Sequence, residues 1–162
     1  MKLPFYILLL TLFYNSHFFI GEGIKITAAS NKTQYEHGED IVISITLKNV
    51  SSEAQEVLFD KSTPYGPWYS TISLIDLKTG KSVLKYPTGA ELHSQVYSQE
   101  EFKKYMTILK PGEAYTKEYK LTDMVILASK DNLLPKGEYA LEILWEGNYE
   151  IYYSNKITFV VK

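Results

Sequence analysis

Gly38-Glu39-Asp40-Ile41-Val42-Ile43-Ser44-Ile45-Thr46-Leu47-Lys48 decides the fold. Ile41, Ile43, Ile45 and Leu47 alternate with Ser44, Thr46 and Lys48, the period of a strand with one face buried. Gly38-Glu39 is a corner, because glycine reaches backbone angles closed to other residues. The dipeptide recurs as Gly112-Glu113 before Ala114–Leu121 and as Gly137-Glu138 before Tyr139–Trp145. Pro111 and Pro135 stand just ahead of the second and third, and proline pre-sets one torsion of a turn.

Working outward, Tyr139, Leu141, Ile143 and Trp145 alternate against Glu142 and Glu146. Ile157, Phe159 and Val161 alternate near the C-terminus, and Ile24, Ile26 and Ala28 near the start. Weaker runs are Glu56–Phe59, Thr71–Leu77, Lys81–Tyr86 and Tyr115–Leu121, with Leu77-Lys78-Thr79-Gly80 as a hairpin turn. Ser98 and Glu101 have capping-box spacing, which predicts one short helix near 98–106. Thr122–Leu134 reads either as a short helical turn or as an edge strand. The expected fold is all-β: an antiparallel two-sheet sandwich of seven to eight strands in one domain, residues 24–162.

Residues 1–23 read as a secretory signal peptide. Lys2 precedes the apolar run Leu3–Phe13, and Gly21 and Gly23 stand at the small positions before a cut after Gly23. The rival is a retained anchor, since Leu3–Ile20 is 18 residues long, the short limit of a span. On the first reading no stable membrane span remains after cleavage. The expected location is secreted or periplasmic, with a bacterial envelope favoured by the absence of cysteine.

The chain has 162 residues, 45% of them hydrophobic, and a formal charge of -2. All 17 basic residues are lysine, and they form no basic stripe, which argues against nucleic acid as partner. The absence of cysteine also rules out disulfides, thiolate zinc sites and a thiol nucleophile. Neither His37 nor His93 sits in a metal-binding or nucleophile motif. Glu36, Glu39 and Asp40 cluster at one corner and Asp123 and Asp131 flank another loop, without a calcium-loop pattern. No catalytic residue, metal or cofactor is therefore expected, and the chain is not expected to be an enzyme. Asn31-Lys32-Thr33 and Asn49-Val50-Ser51 match the glycosylation pattern, which matters only in a eukaryotic secretory route.

Fourteen tyrosines are the unusual feature of the composition. If consecutive strands alternate in direction, connections 30–40, 60–70, 87–112 and 146–154 share one end, with both tryptophans. Rigid Tyr and Trp rings on such loops give contact area at low entropic cost. Tyr65, Trp68, Tyr69, Tyr149 and Tyr152 are the candidate ligand-binding residues, for a protein or glycan. The rival reading is that these rings form a small core of the long loops. Leu134, Gly137 and Tyr139 are the candidates for a structural tyrosine corner, in which the Tyr139 hydroxyl bonds back to the corner.

Asp40–Ser51, Ile72–Gly80, Leu109–Glu113 and Gly137–Leu144 resemble the bacterial intracellular proteinase inhibitor family, a small immunoglobulin-like sandwich. The spacing from Lys110-Pro111-Gly112-Glu113 through Leu121-Thr122-Asp123 to Gly137-Glu138-Tyr139 is similar to a second group. That group is the non-catalytic N-terminal sandwich of deuterolysin-type and peptidyl-Lys metalloendopeptidases, and Asp60–Pro67 resembles a segment there too. Both resemblances imply an immunoglobulin-like fold; no catalytic or inhibitory residue comes across with them. The expected function is an exported, non-catalytic binding or accessory domain using the aromatic loop end. The alternative is a proteinase inhibitor acting through a protruding loop, 60–70 or 87–108.

Overall fold

The structure is a computed structural model; it describes residues 19–20, 22–58, 70–86, 100, 103, 106–147 and 150–162. The fold is all-β and sandwich-like, and eleven strands and one helical turn are defined among these residues. The strands are β1 (Phe19–Ile20), β2 (Ile24–Ser30), β3 (Gln34–Tyr35), β4 (Val42–Asn49), β5 (Gln55–Leu58) and β6 (Ser70–Asp76). They continue with β7 (Met106–Leu109), β8 (Ala114–Lys120), β9 (Gly137–Gly147), β10 (Glu150–Tyr153) and β11 (Ile157–Val161). The helical turn, α1, is Leu121–Met124. Most of the helix expected at 98–106 lies outside the described residues; Glu100 and Lys103 are helical, and Met106 already begins β7.

One layer is a six-stranded sheet in the order β1-β10-β9-β11-β3, with β6 along the other side of β9. The other is β2-β4-β8. β4 and β8 pair from Val42↔Lys120 to Lys48↔Ala114, and β5 and β7 from Gln55↔Leu109 to Leu58↔Met106. These two ladders are one antiparallel ribbon, interrupted by 50–54 on one side and 110–113 on the other. Alternation in sequence becomes the two inner faces. Ile43, Ile45 and Leu47 of one sheet and Leu74, Leu141 and Ile143 of the other are fully buried in a single core. At roughly 1.5–3 kcal/mol for each fully buried aliphatic side chain, this core is the main driving force for the fold.

Two of the three Gly-Glu corners are the same device. In Glu36–Glu39 and in Lys110–Glu113 the fourth residue's N–H donates to the first residue's carbonyl, at 3.0 and 2.9 Å. The glutamate carboxylate then accepts the first residue's N–H, at 3.0 and 2.8 Å. Gly38 and Gly112 hold φ of 84° and 78°, the third position of a type II turn, which strongly disfavours side chains. The third corner is different. Tyr139 is fully buried and its hydroxyl donates to the Pro135 carbonyl at 2.6 Å. A Cβ on Gly137 would stand 3.3 Å from that hydroxyl, so a small residue is needed there for space.

Two asparagines complete the frame by standing in for backbone. Asn49, 0% exposed, sits where β4 gives way to the 50–54 turn. Its Nδ2 donates to Glu53 O and Leu109 O, both at 2.7 Å, and its Oδ1 accepts from Ser51 N and Oγ. Its main chain bridges to Gly112 N and Glu113 O across the ribbon. Both Nδ2 hydrogens of this glycosylation-pattern residue are thus used inside the fold. Asn155 lies in a bulge, three residues (154–156) opposing two (142–143) between the Tyr153↔Leu144 and Ile157↔Leu141 pairs. Its Oδ1 accepts from Ala28 N and its Nδ2 donates to Ala28 O, both at 2.9 Å, which ties edge strand β2 to the opposite sheet. In the same bulge Ser154 Oγ accepts from Ile143 N.

Candidate functional site

The pairings place the loops differently from simple alternation. β4 and β5 run in the same direction along one ribbon, as do β7 and β8, so a count that reverses direction between β4 and β5 slips there and inverts every later strand. Residues 31–41, the 77–80 turn and 121–136 share one end: Leu121 N bonds Ile41 O, Leu77 N bonds Glu138 O, and His37 Nδ1–H donates to Leu134 O. The other end gathers Gly23, the 50–54 and 110–113 turns, the start of β6 and the Gly147↔Glu150 pair. Connection 122–136 therefore lies with 31–41, where alternation had separated them.

The aromatic residues divide accordingly. Tyr35 is buried at the first end, edge-on to Phe159, with its hydroxyl donating to Asn31 Oδ1 at 2.6 Å. Trp145 and Tyr152 stand opposite one another on the inner faces of β9 and β10, 1% and 4% exposed, with ring centroids 5.2 Å apart. Tyr152, a candidate ligand-binding ring, is thus a core residue. Its hydroxyl donates to the Glu150 carboxylate; burial first, then that bond, pushes its pKa up. The Trp145 indole lies over Gly147: a Cβ there would stand 2.3 Å from its Cη2. The Trp145 N–H is buried with no acceptor among the described residues. Tyr65, Trp68, Tyr69 and Tyr149 lie outside the described residues. The segment carrying the first three leads directly into Ser70, which pairs with Trp145.

Sequence reasoning passed over the outer face of the six-stranded sheet near this second end. Thr71, Leu144 and Tyr153 are consecutive cross-strand partners and form one row. Tyr153 is 53% exposed, and Leu144 is half-buried beside it. Ile151 pairs with Glu146 in the next row, and Glu142 with Ser73 in the row on the other side. The available signal was the residue after the inward Tyr152, since neighbours on a strand face opposite ways.

Several titratable groups of the first end are occupied in structure. Lys32 pairs with Glu39, and this hydrogen bond, ahead of the Glu36 N–H, holds the Glu39 carboxyl below the usual range. Asp40 pairs with Lys120 at 2.7 Å, and Asp131 caps Leu133 N. Among the described residues no group of three or more His, Asp or Glu is placed to hold a metal. A small cleft of about 30 Å³ lies between 36–41 and 121–134.

No protein-family profile and no curated protein matches the chain. Among solved structures it is similar to Spo0M, a sporulation control protein from Bacillus subtilis, at 18% identity and a TM-score of 0.46. It is also similar to the alkylpurine DNA glycosylase AlkC of Pseudomonas fluorescens, solved bound to DNA containing an abasic-site analog, at 15% identity and a TM-score of 0.45. Each alignment covers 88% of this chain but only 50% and 31%, respectively, of the other.

Proposed function

We propose that this chain is an exported, non-catalytic binding or accessory module, and that it binds through the outer face of the six-stranded sheet around Tyr153. The observation that carries the reading is the row Thr71-Leu144-Tyr153. It sets a half-exposed aromatic ring beside the aliphatic side chain of Leu144 on regular strands, flanked by Ile151, Glu142 and Glu146. Rigid strands present such a ring with little entropy left to lose, and tyrosine offers both apolar area and a hydroxyl for recognition. The carboxylates favour a protein partner with basic groups around an apolar contact. Export rests on the sequence, through Lys2 and the apolar run Leu3–Phe13. The test uses the full chain and a Tyr153→Ala, Leu144→Ser variant of matched thermal stability as baits in envelope and culture supernatant of the native host. Loss from the variant of the partner retained by the parent is the expected result. Equal retention by both overturns the assignment of this face.

A further inference from the structure

Phe19, Ile20 and Gly23, the last part of the expected leader 1–23, make sheet contacts. Phe19 and Ile20 pair in parallel with Glu150 and Ile151, so β1 covers the outer edge of β10. The carbonyl of Gly23 accepts the Val50 N–H at 3.0 Å and extends the β2–β4 ladder one residue upstream, next to the Asn49 joint. A Cβ on Gly23 would meet the Gln55 side chain at 3.4 Å, and Gln55 Nε2 in turn donates to Ser51 Oγ. Ile24, next in line, is 5% exposed.

We infer that residues 19–23 belong to the mature domain, and that any processing site lies before Phe19 and not after Gly23. A cut after Gly23 would take the acceptor from Val50 N–H and strip β1 from β10, leaving an open strand edge of the kind that invites pairing with other chains. With β1 in place Glu150 and Ile151 are already paired on that side, so strand addition at these two residues is not a route for partners.

The experiment is N-terminal sequencing with intact-mass measurement on the protein purified from its own host. A first residue at Phe19 or anywhere upstream, Met1 included, is the expected result. A first residue at Ile20 or later, Ile24 above all, overturns the inference.

Discussion

Replacing Asn49 with alanine should be among the more damaging single changes to this fold. The side chain makes four hydrogen bonds, two donated and two accepted, from a site with no solvent exposure. A net intramolecular hydrogen bond contributes about 1 kcal/mol, and a buried group left unpaired costs about 1–3 kcal/mol. Glu53 O and Ser51 lie on a surface turn, where water replaces part of what is lost. The bond to Leu109 O is buried, so it has no such replacement. The expected loss is about 2–4 kcal/mol, a large share of a typical stability of roughly 5–15 kcal/mol. Urea unfolding of Asn49→Ala should show a lowered midpoint at unchanged slope. Asn49→Asp adds a check with a defined sign. It keeps the acceptors but turns a carboxylate toward two carbonyls, so its folded-state pKa rises above the unfolded value. The variant should be weakest at neutral pH and recover as pH falls through that raised pKa. A loss below about 1 kcal/mol for Asn49→Ala, or no pH dependence for Asn49→Asp relative to the parent, would refute the reasoning.

Three further outcomes follow from single contacts. Asn155→Ala should lose about 1–2 kcal/mol and speed hydrogen exchange at the Ala28 amide, which otherwise donates to Asn155 Oδ1; unchanged exchange there would contradict the clamp. Tyr139→Phe should cost about 1–3 kcal/mol, because the Pro135 carbonyl loses its donor, and an unmoved denaturation midpoint would reject the corner. Gly147→Ala puts a Cβ where the Trp145 ring lies, so it should displace the indole and cost about 1–3 kcal/mol. In a Trp68→Phe background, unchanged Trp145 fluorescence would contradict that packing.

What the sequence disclosed and what it concealed divide along one physical line. The alternating runs around Ile43, Leu141 and Phe159 were legible because burial of one strand face writes itself into every second residue. Gly38 and Gly112 were legible because a left-handed backbone angle selects glycine. The continuation of β4 into β5 was not, because it hangs on Asn49, whose side chain does the work of backbone across 60 residues of sequence. Asn155, reaching Ala28 from 127 residues away, is equally silent. The local hint at Asn49-Val50-Ser51, an asparagine bonding the backbone two residues on, was read for its glycosylation pattern. Missing that joint reversed the assumed direction of later strands and set Tyr35 at the same end as 60–70 and 146–154. At Tyr152 the sequence shows a tyrosine in a loop-like stretch, but not that β10 turns the ring to the inner face, opposite Trp145. Tyr153, its outward neighbour, carries the exposed ring.

The most direct measurement of the binding account is photo-crosslinking in the native host. A photoreactive residue replaces Tyr153 in one variant and Thr27 in another; Thr27 pairs with Thr46 in the other sheet and serves as the control. A discrete protein adduct from position 153, absent from position 27, is the predicted result. No adduct from 153, or the same adducts from both positions, would contradict a binding face around Tyr153.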